Sequence, residues 1–154
     1  MIHRSSARHD VTTPLIDNPE TTIHSLFLNM SLQFISSTAH SNAQGGLALA
    51  NDADAHAVAL DNVQRIDLHF PKFTDGRAFS QAFILRRRGY EGDIRAHGDV
   101  LIDQLVQMQR SGFTSVVLRD DQNAEHGKKL LSHYLSFYQG DALHPQPHFA
   151  KEVA

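Results

Sequence analysis

From residue 46 onward, short apolar runs alternate with longer stretches whose apolar residues recur at helical spacing. Gly46-Leu47-Ala48-Leu49-Ala50 reads as a strand followed by a helix cap at Asn51-Asp52, with a weak helix over 53–60. Arg65 to Phe70 is β-like and closed by Pro71. Arg77 to Arg88 sets Ala78, Ala82 and Leu85 on one stripe beside Phe79 and Phe83, a helix. Its last turn, Arg86-Arg87-Arg88 before Gly89, suits the negative end of a helix and a left-handed cap, so that charge run reads as a terminus before a binding patch. Asp93 to Ala96 is a strand, Val100 to Arg110 a helix stopped by Gly112, Thr114 to Leu118 a strand and Asn123 to Tyr138 a last helix.

Strand and helix thus alternate four times with short connections. The expected fold is α/β, with alternating β-α units forming a small parallel sheet of about four strands flanked by helices. An open sheet and half of a barrel both satisfy the pattern. Outside this domain (46–140), residues 1–45 read as a loose, variable arm. Within the arm, an apolar segment at 23–35 is short enough to be helix or strand, and Ser36 to Gly45 has linker composition. Residues 141–154 read as a tail, with His144 and His148 set among Pro145 and Pro147.

Composition changes the picture in three respects. No apolar run reaches the roughly 18 residues of a membrane span, and the N-terminus lacks the apolar core of a secretory signal. With no cysteine, the chain has no disulfide, thiolate ligand or thiol nucleophile, and a cytoplasmic location is expected. Residues 64–119 carry nine Lys and Arg against six Asp and Glu, in a chain whose formal net charge is −3. That mildly basic centre suits a small anion and falls short of a nucleic-acid footprint.

Parallel α/β proteins bind ligands at the C-terminal ends of their strands, where loops and helix N-termini converge. Here those loops are Asn51-Asp52, Pro71 to Arg77, His97-Gly98-Asp99 and Arg119 to Gln122, all polar, whereas the opposite loops show plain turn chemistry. Lys72, Arg77, Arg95 and Arg119 are candidate cations for a small oxyanion, against the alternative that Arg77 pairs with Asp75 or Asp99 and ties loops together. Asp75, Asp99 and Asp103 are candidate acid–base carboxylates, against roles as turn former and helix cap. Gly76 and Gly98 belong to the same loops, and Asp75-Gly76 is expected to make the turn. Ser80 lacks a nucleophile-elbow pattern, and His69 and His97 near strand ends would need a third ligand to hold a metal, so no metal is assigned. There is no GxGxxG, P-loop or HExxH, and the cofactor is unassigned.

The run His69-Phe70-Pro71-Lys72-Phe73-Thr74-Asp75-Gly76-Arg77-Ala78-Phe79-Ser80-Gln81-Ala82 resembles the signature of the bacterial domain of unknown function 934 family. Leu85-Arg86, Gly89-Tyr90, Arg95-Ala96, Gly98-Asp99-Val100-Leu101, Asp103-Gln104-Leu105 and Tyr138-Gln139-Gly140 extend the likeness over residues 46–140. Ala78, Phe79 and Ser111 depart from it, standing where the family often has Gly, Tyr and Cys. The resemblance implies a role beside sulfite reductase in assimilatory sulfate reduction, and some members carry a probable-oxidoreductase label. The expectation is an accessory protein, with the sulfite reductase haemoprotein as partner and a homodimer compatible with the exposed sheet edges. The alternatives are a small enzyme acting on an anionic substrate and a non-catalytic anion-binding regulatory module.

Overall fold

The computed structural model describes residues 31–43, 45–134 and 136–150. Five strands form one all-parallel sheet: β1 (Gln33–Phe34), β2 (Leu47–Leu49), β3 (Arg65–Phe70), β4 (Asp93–Gly98) and β5 (Ser115–Val116). Four helices accompany them, α1 (Ser37–Asn42), α2 (Arg77–Arg87), α3 (Leu105–Ser111) and α4 (Ala124–Leu131), with 3-10 turns at Ile102–Gln104 and His148–Ala150. The strand order is β1-β5-β4-β3-β2. The parallel α/β sheet read from the alternation is therefore present, with one strand more than expected. That strand, β1, comes from the apolar segment at 23–35, where Gln33 pairs opposite Ser115 and Phe34 opposite Val116. β1 and β2 occupy opposite edges without closing on each other, so the sheet is open.

β2 to β5 lie side by side in chain order, so each right-handed crossover steps the same way, and the two that carry a helix lay it on the same face. α2 packs on β3 and α3, and α3 on α4. Under them lie Ile66, Leu68 and Phe70 of β3, Ile94 and Ala96 of β4 and Val116 of β5, all fully buried against Ala78, Ala82, Leu85, Leu105 and Met108. Burying each large aliphatic or aromatic side chain contributes roughly 1.5–3 kcal/mol. Because side chains alternate along a strand, the intervening residues share the other face, and these are polar. Across it, Arg65 stands opposite Asp93, Asp67 opposite Arg95, His69 opposite His97, and Arg95 also opposite Ser115.

Ion pairs make that polar face tolerable in a buried setting. Arg65 Nε pairs with Asp67 at 3.0 Å, with both side chains almost wholly covered. Arg95 donates to Asp93 Oδ2 at 3.0 Å and to Ser115 Oγ at 3.0 Å, while Asp93 Oδ1 accepts from Thr114 at 2.6 Å and from Ser115 at 2.7 Å. The β1-to-β2 connection crosses the sheet in the opposite direction, and it lays α1 over this face.

Four local expectations are corrected. Residues 53–60 form turns, not a helix. Asp54 accepts from the His56 N–H at 2.8 Å, and side chains of α2 claim the neighbouring carbonyls: Gln81 those of Ala50, Asn51 and Ala53, Arg88 those of Ala55 and Val58. The linker from Ser36 to Gly45 contains α1, started by the Ser36 hydroxyl accepting from the Ala39 N–H at 3.2 Å. The helix expected from Val100 begins later, through the 3-10 turn, because Gln104 Oε1 and Gln122 Oε1 take the Leu101 and Ile102 N–H groups. The last helix ends at Leu131, seven residues short of Tyr138, where the Ser132 hydroxyl donates to the Lys129 carbonyl and the helix caps.

Beyond it, Asp141 accepts from Arg110 Nε at 3.4 Å and from the His144 N–H at 2.7 Å, and the Arg110 guanidinium lies 4.4 Å from the Phe137 ring centre, which ties this segment to the end of α3. Among the described residues no helix is long and apolar enough to cross a membrane.

Candidate functional site

The polar loops converge at the C-terminal edge of the sheet, as the alternation of elements requires. Gly98 brings two of them together. Its φ is +100°, and a Cβ there would lie 2.5 Å from the Phe70 carbonyl oxygen, so only glycine lets the end of β4 approach the end of β3 this closely. The next residue then donates its N–H to that same carbonyl at 2.8 Å.

Asp99 is the junction of the edge. One carboxylate oxygen accepts the Phe73 N–H at 2.9 Å, and the other accepts Arg119 Nη1 at 2.7 Å. Arg119 turns its remaining fork onto Asp121, at 2.6 and 2.7 Å. Hydrogen bonds from Arg119 hold the Asp121 carboxyl down at about 2, and Asp121 with Asp99 pushes the Arg119 guanidinium upward in turn. Gln104 completes the lock by donating to the Phe73 carbonyl at 2.8 Å. The loop after β3 is therefore pinned at both backbone groups of Phe73 by side chains from the loop after β4.

The candidate residues divide accordingly. Asp99 and Arg119 meet; Asp99 serves as a loop bridge, not as a helix cap, and it shares no helix with Asp103, which is exposed in the 3-10 turn. Arg77 pairs with Asp75, at 3.2 Å between side chains, and not with Asp99. The Arg77 backbone N–H, first of several donors, lowers the Asp75 carboxyl below its usual range. Asp75 thus makes the turn through its side chain, while Gly76 keeps an ordinary right-handed backbone with open space around it. Arg95 faces the polar side of the sheet and is committed to Asp93, away from the loops. Lys72 is exposed. The four cations do not converge on one point, and three of them are matched by carboxylates. Ser80 is exposed on α2.

Two features escaped the sequence reading. Phe73 is 49% exposed although its backbone is fully fixed. In sequence it is one apolar residue in a polar loop, and only the partners of its N–H and carbonyl distinguish it. The second is a column of imidazoles. His69 and His97 do meet, at 4.9 Å between ring centres, and His40 from α1 packs tilted against His97 at 4.7 Å. His40 lies in the segment read as a linker, so nothing in the sequence connected it to the strand ends. Among the described residues no group of three or more His, Asp or Glu side chains is arranged to hold a metal ion.

The chain matches the family model described as a bacterial protein of unknown function, DUF934, over residues 46–149. It belongs to the DUF934 family. No curated protein and no solved structure matches it. The three residues read from the sequence as departures from the family's pattern are packing positions: Ala78 and Ser111 are buried, and Phe79 packs edge-on against Phe70 and Phe113. None of the three lies among the Asp99–Arg119 contacts.

Proposed function

We propose that this DUF934 chain is a cytosolic accessory protein of assimilatory sulfite reduction, which docks onto the sulfite reductase haemoprotein through its strand-end loops and leaves the redox chemistry to that partner. The observation that carries the proposal is the presentation of Phe73. An exposed aromatic ring, flanked by the exposed Lys72 and Arg77, rides on a loop whose backbone is fixed by Asp99 and Gln104. Aromatic side chains and arginine are enriched in protein interfaces, and a loop already ordered before binding loses little entropy on docking. The charged groups of the edge are spent on one another: Asp99 and Asp121 on Arg119, Asp75 on Arg77. They build a support for the loop. The genomic association implied by the family resemblance names the partner.

The test is growth of a strain lacking this chain, complemented with variants. The native chain restores growth on sulfate or sulfite as sole sulfur source; Phe73→Ala does not, while both strains grow on sulfide or cysteine. Normal growth of the unsupplemented deletion strain on sulfite contradicts the proposal.

A further inference from the structure

The imidazole column is independent of the loop edge and of the function proposed for it. His97 contacts two other rings, His40 at 4.7 Å and His69 at 4.9 Å between ring centres, in the only described contact between aromatic groups of α1 and the sheet. Nδ1 of His40 is buried without a hydrogen-bond partner, and no hydrogen bond ties the three rings to other groups among the described residues. The charged groups facing His97 are few. From α1 comes His40; from β3 come His69 and Asp67; on its own strand Arg95 and Asp93 share the face as a closed pair. Asp67 is already committed to Arg65. His69 is exposed, but a proton added to the half-buried His97 meets no free carboxylate, and a second one on a neighbouring ring sets like charges about 5 Å apart, a separation at which incompletely solvated charges repel appreciably.

α1 has little else to hold it. It is six residues long, too short to be stable alone. Its other described tie to the sheet is the Arg65 guanidinium at 3.4 Å from the Ala43 carbonyl, just past the helix. We propose that the His40–His97–His69 column is a proton-controlled latch: neutral, it clamps α1 over the polar face of the sheet; protonated, it releases α1 and uncovers that face. Burial, helped by the two neighbouring imidazoles, holds His97 down at about 4. In the closed latch His97 thus resists a proton that a solvated imidazole would accept near 6.5. Release proceeds by way of the open form, which takes up protons the closed form refuses, so falling pH shifts the population toward it.

The experiment is NMR of the full chain between pH 7.5 and 4. Backbone carbon shifts and 15N relaxation of residues 37–42 report α1, ring-proton shifts report the three histidines, and amides of Leu68 and Ile94 serve as internal controls. The latch predicts loss of helical shifts and a rise in fast mobility in α1 as the pH falls, with the controls unchanged. His97→Phe keeps a stacking ring that cannot be protonated, and it holds α1 in place across the range. His40→Ala removes the clamp and leaves α1 mobile at every pH; it serves as second variant should His97→Phe fold poorly. Constant α1 signals in the native chain from pH 7.5 to 4, an α1 transition in His97→Phe identical to the native one, or an α1 still docked in His40→Ala overturns the proposal.

Discussion

The residue that carries most structural weight relative to its visibility is Arg86. It is largely buried, and burial pulls its guanidinium down to about 10, still charged at neutral pH. Its partners are all carbonyls: Gly112 at 2.8 Å, Tyr90 at 2.6 Å and Gly92 at 2.9 Å. One side chain thus joins the end of α2, the entry to β4 and the stop of α3. Arg86→Met is expected to lower unfolding free energy by about 2 kcal/mol in urea titrations, because buried carbonyls lose their donor. Arg87→Met, at an exposed neighbour, should fall within about 0.5 kcal/mol of native. A second residue-scale expectation concerns Gly98→Ala. The added Cβ meets the Phe70 carbonyl at 2.5 Å on a backbone with positive φ, so a loss of about 2 kcal/mol or more is expected in the same titration. The triple arginine was legible as a helix terminus from its place before Gly89. Which of the three turns inward was not, because that depends on where the Tyr90, Gly92 and Gly112 carbonyls end in space.

Among elements, those with strong periodicity were readable and those made by side-chain competition were not. Arg65 to Phe70 appears where spacing placed it, and the helix read over Arg77 to Arg88 runs from Arg77 to Arg87 with Arg88 as its cap, since a buried stripe fixes both. The turns at 53–60, the early end of α4 and the delayed start of α3 all arise where a Gln, Arg, Ser or Asp side chain takes a backbone group that the helix would have used. Gln81 is the clearest case, and it gives a prediction at this scale. Gln81→Leu removes the donor to the Ala50, Asn51 and Ala53 carbonyls, and hydrogen exchange of residues 50–60 should quicken at least tenfold while β3 and β4 amides keep their protection. The pH dependence also belongs to elements. The folded value of His97 lies below its unfolded one, so its contribution is complete above about 6.5 and is lost as pH falls toward 4. Asp121 has the opposite chemistry: its lowered carboxyl stabilises the edge above the usual carboxylate range, and that is lost only as pH falls toward about 2. Release of α1 should therefore precede any loosening of the strand-end loops in an acid titration followed by NMR.

At the scale of the molecule, a parallel sheet with α2 to α4 on one face and an ion-paired polar face under α1 on the other creates two working surfaces from one alternation of side chains. The fold class and the edge that carries the loops were legible in the sequence, because alternating β-α units allow little else. The use of that edge was not legible residue by residue. Lys72, Asp75, Arg77, Asp99 and Arg119 share it as expected, yet Asp75 with Arg77 and Asp99 with Arg119 are paired as loop supports, and Phe73 is displayed among them. The central claim is that this display is a docking surface. Sedimentation of the purified chain with purified sulfite reductase haemoprotein tests it most directly. A saturable complex is predicted, weakened about tenfold or more by Phe73→Ala and unchanged by Tyr138→Ala on the distant C-terminal segment. Absence of a complex at tens of micromolar, or equal binding by Phe73→Ala, would contradict it.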